Sequence, residues 1–338
     1  VNAYPAEEME IVSEIDLNNS VQGIFLNGDK LIVFSNSYEY GNAYESGLEF
    51  AAGERFYPRY NKQKTLINAY DISDRENPKL ENTAAVDGNF VGARMIDDYV
   101  YLISSKYINV ENFEPPVYIL NGVEKSVAAS DVIYPGGYDN SYVFTSVSVM
   151  NVENGKFESK VFMTGSSWNI YVSENNIYLT KEKTISPKEY LEKYVNQVVE
   201  KILPSSEMKK VSEIMDSNKQ HYEKQRAIGE LIQEYLEGLP PEELNDKYKE
   251  MSKEMENFYK EIAKERDKTM INKISIDKLK IEFESSGEVP GHVLNQFSMD
   301  EYKGNFRIAT TSGDFWRGES LNNLYILNKN LKMLGKVE

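Results

Sequence analysis

The sequence predicts a mainly β chain: a β-propeller of four four-stranded blades plus an N-terminal half blade, forming an incomplete ring, with an inserted α-helical subdomain. Three observations predict it. An apolar hairpin recurs along the chain, a second strand pair follows each copy after a loop of variable length, and helical periodicity replaces one of those loops. One small antiparallel sheet cannot bury both of its apolar faces, so the copies must stack on one another.

The hairpin runs from Val21 to Phe34 and returns from Phe90 to Ile103. Its third copy is Trp168–Val172 with Asn176–Leu179, and its fourth is Val293–Phe297 with Asn305–Ala309. The second strand pair is clearest at Leu66–Asp74, followed by Asn77-Pro78 and a strand ending near Gly88. Val147–Val152 with Phe157–Val161, Ile274–Asp277 with Ile281–Phe283, and Leu324–Asn328 with Met333–Gly335 repeat it. Apolar residues alternate with a period of two, and polar turns separate the strands. Asn27-Gly28 and Asn175-Asn176 tolerate the positive φ of a tight hairpin. A two-layer sandwich also has short strands and such turns; the ordered recurrence favours the propeller.

These repeats divide the chain into a half blade (1–19), a blade (20–88), a second blade (89–165) and the first half of a third (166–184). A helical insertion (185–270) follows, then the rest of the interrupted blade (271–291) and a last blade (292–338). The half blade is read from Val1–Tyr4 and Met9–Ile15, a second strand pair with no first pair before it; Asn2-Ala3-Tyr4 repeats Asn68-Ala69-Tyr70. The expectation is a piece of a longer chain, or an open arc whose edges must be paired or protected.

In the insertion, Ser186-Pro187-Lys188-Glu189 reads as a capping box with proline at the first helical position. Leu191, Tyr194, Val195, Val198, Val199 and Ile202 then form one apolar face, ending before Pro204. A second stretch carries Met208, Val211, Ile214 and Met215, and a third Ile228, Leu231, Ile232, Tyr235 and Leu236. The last begins at Pro241, with Glu242 and Glu243 well placed against the helix dipole, and its seam is Leu244, Tyr248, Met251, Met255, Phe258 and Ile262. Two uses fit that seam: packing the helices on each other and on the propeller, or docking a partner.

The net charge of −16 argues against nucleic-acid binding, which relies on basic patches to displace phosphate counterions. Residues 185–270 hold 15 basic and 19 acidic residues, a net −4, and the β part holds 23 and 35, a net −12, so the acidity is not concentrated in the helices. The absence of Cys excludes disulfides, cysteine nucleophiles and thiolate metal sites. No apolar run reaches transmembrane length, and no signal peptide opens the sequence. Asn18-Asn19-Ser20 is a glycosylation sequon that would suit a secreted protein.

No catalytic, cofactor-binding or metal site can be assigned. The two histidines, His221 and His292, lack ligand spacing, and no HExxH, GxSxG or P-loop pattern occurs. His221 sits in a polar helical stretch; His292 follows Pro290-Gly291 at the turn into an inner strand, where it could face the central channel. Gln296–Tyr302 is the most chemically loaded stretch: Asp300 and Glu301 could act as acid and base or bind a hard cation, but their place matches the hairpin turns of other units. Arg94 and Arg307 fall on strands and are expected to pair with acids. Asp71, Ser73, Asp74 and Asn77 could offer oxygens to calcium, and an Asx-type turn ahead of Pro78 explains them equally well.

Gly287–Tyr302 followed by Phe306–Ser312 closely resembles the secreted β-propeller family of archaea and bacteria, described as distantly related to WD-40 repeats. Asp71-Ile72-Ser73-Asp74 through Asn77-Pro78, and Gly92–Tyr101, resemble recurrent elements of the same family. The resemblance covers essentially the whole chain. It implies a propeller, a secreted or cell-surface location, helices inserted in one blade, and further sequence at both ends. It carries no established activity, so it transfers no site residues. The expected function is a non-catalytic binding or scaffold protein using propeller loops and the insertion against a protein or cell-envelope partner, with self-association through the open propeller edges. The alternative is a hydrolase or lyase on polysaccharide or peptide, which requires carboxylates, His or Arg converging at the channel mouth.

Overall fold

Each repeat folds as an antiparallel sheet because its strands are apolar on alternate residues and its turns supply the left-handed backbone that tight hairpins need. The computed structural model describes residues 4–40, 61–109, 113–167, 169–313 and 320–337. The first blade is β1 (Ser20–Asn27), β2 (Lys30–Tyr40), β3 (Asn61–Asp71) and β4 (Lys79–Asp87). The second is β5 (Asn89–Ile96), β6 (Tyr99–Tyr107), β9 (Val143–Asn151) and β10 (Phe157–Met163). The third is β11 (Asn169–Val172), β12 (Asn176–Glu182), β13 (Lys268–Asp277) and β14 (Lys280–Pro290). The fourth is β15 (Met299–Tyr302), β16 (Asn305–Ser312), β17 (Leu321–Leu327) and β18 (Met333–Val337).

The apolar layers lie between blades. Ile32, Phe34, Ile67 and Val86 of the first blade bury against Val100, Leu102 and Met150 of the second. The opposite face of the second blade, with Tyr101, Ile103, Val147 and Val149, meets Ile177, Leu179, Ile274 and Ile276 of the third. Tyr178 and Ile271 then meet Phe306, Ile308 and Tyr325 of the fourth, with the Tyr178 and Phe306 rings stacked 4.0 Å apart. The sheets do not close into a ring. Ile24 and Leu26 on one end blade, and Leu324 and Ile326 on the other, hold no neighbouring sheet and are exposed.

A glycine marks the step from each blade to the next. Gly88, Gly165 and Gly291 all have positive φ. A Cβ at Gly88 would lie 2.4 Å from the Ser105 carbonyl oxygen, and one at Gly291 would lie 2.8 Å from that of Thr311. Buried hydroxyls fasten the crossovers from both sides. Thr65 on β3 donates to the Gly88 carbonyl (2.9 Å) and Ser104 on β6 to that of Asp87 (3.0 Å). Thr269 on β13 donates to Gly291 (2.6 Å) and Thr310 on β16 to Pro290 (2.7 Å).

Residues 4–19 contain a 3-10 turn at Ala6–Glu8 and extended chain with a bridge at Glu10, rather than a ladder of two strands. With no inner strands beside it, this segment has little to pair with. Val1–Ala3, Trp168 and Glu338, which belong to the predicted repeats, lie outside the described residues.

The sequence reading leaves residues 108–142 as a loop, but they carry a hairpin, β7 (Val117–Leu120) and β8 (Val123–Ser126), turned by Asn121-Gly122 with positive φ at both positions. This hairpin leaves the second blade and pairs β7 with β4, making the first sheet six-stranded. Further along, Ile133 bridges Phe162 on the outer edge of the second blade. One loop therefore covers two sheet edges that would otherwise offer unpaired backbone groups.

The insertion comprises α1 (Pro187–Tyr194), a π-helical turn (Val195–Val199), α2 (Glu200–Ile202), α3 (Ser205–Asp216), α4 (His221–Glu237) and α5 (Pro241–Arg266). Ser186 caps α1 by accepting from the Glu189 amide (3.0 Å). Leu191, Val198, Ile228, Leu236, Phe258 and Ile262 form a core of insertion residues alone. The apolar seam of α5 is thus spent inside the subdomain.

Gly88→Ala and Gly291→Ala are each expected to lower stability by about 2–4 kcal/mol, since they add a steric conflict with fixed backbone to a left-handed conformation. Gly28→Ala, at a positive φ with open space around it, should cost only about 1 kcal/mol. Urea unfolding of the three variants checks the contrast.

Candidate functional site

In a blade of strand order 1-2-3-4, the turns joining strands 1 to 2 and 3 to 4 lie on one face, and the 2-to-3 connections lie on the other with the crossovers. The 2-to-3 connections are residues 41–60, 108–142, 183–267 and 313–320. All the added chain therefore grows from one face, while the other carries short turns.

The largest cleft on that face, about 940 Å³, opens at the root of the insertion. Tyr138 and Asn140 come from the second blade's loop, Glu182 from the end of β12, Arg266 and Asp267 from the end of α5, and His292 from the crossover into the fourth blade. His292 is held by a backbone bridge to Thr311, with amide and carbonyl bonds of 2.8 and 3.0 Å. Its Nε2 lies 2.9 Å from Asp267 Oδ1, and its Nδ1 lies 3.8 Å from Glu182 Oε1. Asp267 is fixed in turn, because its Oδ2 accepts from the Gly313 amide (2.8 Å) and its carbonyl from the Gly291 amide (2.8 Å). His292, expected at the central channel, turns instead into this cleft. His221 opens α4 and does not line it.

Beside the cleft, four charges tie the insertion to the third blade. Lys183 pairs with Glu265 and with Glu288 (2.8 Å), and Lys268 pairs with Glu265 (3.0 Å) and Glu288 (2.9 Å). The Lys183 hydrogen bond, followed by that of Lys268, lowers the Glu265 pKa to about 2. Lys183 and Lys268 are raised in return against the penalty of burial.

Asp300 and Glu301 are on β15 rather than in its turn, which is Lys303-Gly304. The three-residue misplacement matters, because strand residues reach the neighbouring blade whereas turn residues reach water. Glu301 accepts from Ser173 (2.7 Å), Asn176 (3.0 Å) and Tyr178 (2.9 Å), while its amide donates to the Tyr171 hydroxyl (3.1 Å). It is a clamp between the third and fourth blades. Burial, then the Glu301 bond, pushes the Tyr178 hydroxyl pKa far up. Asp300 pairs with Arg307, its cross-strand neighbour. Arg94, expected to pair with an acid, makes no ion pair with any described residue and contacts only the Ala93 carbonyl (3.3 Å). Asp71 accepts from the Ser73 amide (2.8 Å) and Asp74 from the Glu76 amide (3.1 Å), so both form the Asx turns ahead of Pro78. Those bonds, together with the Asn77 side chain on Asp74, hold both carboxyls below their ordinary range. Among the described residues, no group of three or more His, Asp or Glu side chains is arranged to hold a metal ion.

The whole chain, residues 1–338, matches the beta propeller domain family, and the protein belongs to that family. It is 30% identical over 282 residues to an uncharacterised protein of Methanocaldococcus jannaschii, covering 80% of this chain and 43% of that protein. It is also 30% identical over 281 residues to an uncharacterised protein of Archaeoglobus fulgidus, covering 80% of this chain and 42% of the relative. The chain thus spans less than half the length of these relatives. A propeller with loops and helices on one face is suited to protein interaction or scaffolding, and no helix among the described residues is long and apolar enough to cross a membrane.

Glu301→Ala should lower stability by about 2–4 kcal/mol, because it strands the buried Tyr178 hydroxyl along with Ser173 and Asn176. Calorimetry against Asp300→Ala, whose partner is more exposed, checks it. Glu265 has a depressed folded pKa, so its stabilisation is present above its ordinary value of 4.5 and is lost as pH falls towards about 2. Anchoring of the insertion should weaken over that window and less so in Glu265→Gln, as read by hydrogen exchange at Lys183 and Lys268.

Proposed function

We propose that this protein is a non-catalytic binding or scaffold protein of the cell exterior, and that the face bearing the 2-to-3 connections is its contact surface. One observation carries the reading: the hairpin loop, the helical subdomain and the crossovers all rise from the same face, leaving short turns on the other. Selection for contact on one side explains that asymmetry; packing of the blades does not require it. The partner is a protein or cell-envelope component that meets the polar outer surface of the helices, where Tyr222, Tyr248 and Tyr259 stand exposed. Self-association through the uncovered end blades is a second contact mode of the same reading. The secreted location rests on the family resemblance.

A hydrolase or lyase acting on polysaccharide or peptide is the competing reading, and the convergence of His292, Asp267 and Glu182 in one cleft favours it. The hydroxyls lining that cleft among the described residues are Tyr138 and Thr184, neither placed as a triad nucleophile against His292. A water activated by the His292–Asp267 pair would be the attacking group.

The test exploits the root of the insertion, where the Lys183 amide donates to the Lys268 carbonyl (2.9 Å), so a short Gly-Ser turn can replace residues 187–266. Cross-linking in native cell envelope with the full chain and with this variant should show partners lost in the variant while the propeller's melting transition remains. Identical capture by both would refute the insertion's part in binding. Turnover of a polysaccharide or peptide panel, abolished by His292→Ala, would establish the enzymatic reading instead.

A further inference from the structure

A second, smaller cavity of about 280 Å³ lies away from the insertion, on the channel wall where β5, β11 and the crossover into the fourth blade meet. Its lining brings together an unpaired cation, side-chain amides and an exposed aromatic ring. Arg94 comes from β5, Asn169 from β11, and Asn295, Gln296 and Phe297 from the crossover. We propose that this cavity binds a carboxylate-bearing sugar, one uronate unit of an acidic glycan, with Arg94 on the carboxylate and Phe297 under the ring.

The ring is displayed, not loose. Phe297 is 87% exposed, yet it sits in the 3-10 turn Gln296–Ser298, which Asn295 caps by accepting from the Phe297 amide (2.9 Å). Asn169 is tied to the same crossover through its bond to the Val293 carbonyl (3.2 Å). A fixed aromatic face beside amide donors and acceptors suits a pyranose, whose C–H face is apolar and whose edge carries hydroxyls. Arg94 supplies what a neutral sugar does not need. Its planar fork of donors matches a carboxylate, and it has no acidic partner among the described residues of a chain with 54 acids and 38 bases.

A peptide fits less well. Strand addition needs a regular row of free backbone groups, but β5 is broken by a bulge between Phe90 and Gly92, and β11 has only four residues. The cavity also has room for one ring rather than an extended chain. The site goes beyond the insertion face and stands whether or not that face binds a partner.

Gly92 provides a sharp test. A Cβ there would meet nothing within 4 Å, and its backbone is not left-handed, so Gly92→Leu fills the cavity without a steric conflict. The full chain is titrated by calorimetry with a galacturonate trimer, a neutral xylose trimer and a Glu-rich peptide. Saturable binding of the galacturonate trimer is expected. It should be about tenfold or more weaker in Arg94→Gln and Phe297→Ala and lost in Gly92→Leu, at unchanged melting temperature. The neutral trimer should bind at least about tenfold more weakly than the acidic one. No saturable binding at millimolar sugar, equal binding of the two trimers, indifference to the substitutions, or capture of the peptide in place of the sugar would each overturn the proposal. Should Gly92→Leu fail to fold, the two exposed-site variants decide.

Discussion

The structure depends on apolar packing between sheets rather than within them. Every described blade presents buried aliphatic residues on its facing sides: Ile32 and Phe34 look towards the second blade, Tyr101 and Ile103 away from it towards the third. A four-stranded sheet flanked by water on both sides would leave such residues hydrated. Fully burying one large aliphatic side chain is worth about 1.5–3 kcal/mol. Stacking is therefore a condition for the sheets to exist, and the polar devices refine an arrangement that burial has already chosen.

Those devices fall where stacking alone leaves ambiguity. The crossovers must turn the chain sharply between layers, and glycine with a hydroxyl on either side fixes them at Gly88 and Gly291. Glu301 fixes the relation of the last two blades by collecting three side-chain donors from one neighbour. The insertion needs no such fitting along its length, since it has its own core; charge pairs at Lys183 and Lys268 secure its root.

Much of this was legible from residues alone, for identifiable reasons. Alternation placed the blades, because a buried two-sided strand leaves a strong period in the chain. Helical spacing from Leu191 to Ile262 announced the subdomain for the same reason. What was missed had a different character. The hairpin at Asn121-Gly122 carries a strong turn signal between Val117–Leu120 and Val123–Ser126, but the repeat logic assigned that span to a loop. The cleft around His292 joins residues from four separate segments, and no local pattern encodes such a meeting. The role of Glu301 was hidden by a three-residue error in the turn, which sends a side chain from solvent to a neighbouring blade.

The loop of residues 108–142 has a consequence for how the molecule is made. It arises in the second blade yet supplies the fifth and sixth strands of the first, so the earlier sheet cannot finish its outer rim until chain well beyond it has emerged. During synthesis, or passage through a translocation pore, the rim of β4 is bare for some thirty residues of further growth. That interval is when a chaperone would have something to hold, and it ends by the arrival of the protein's own later sequence.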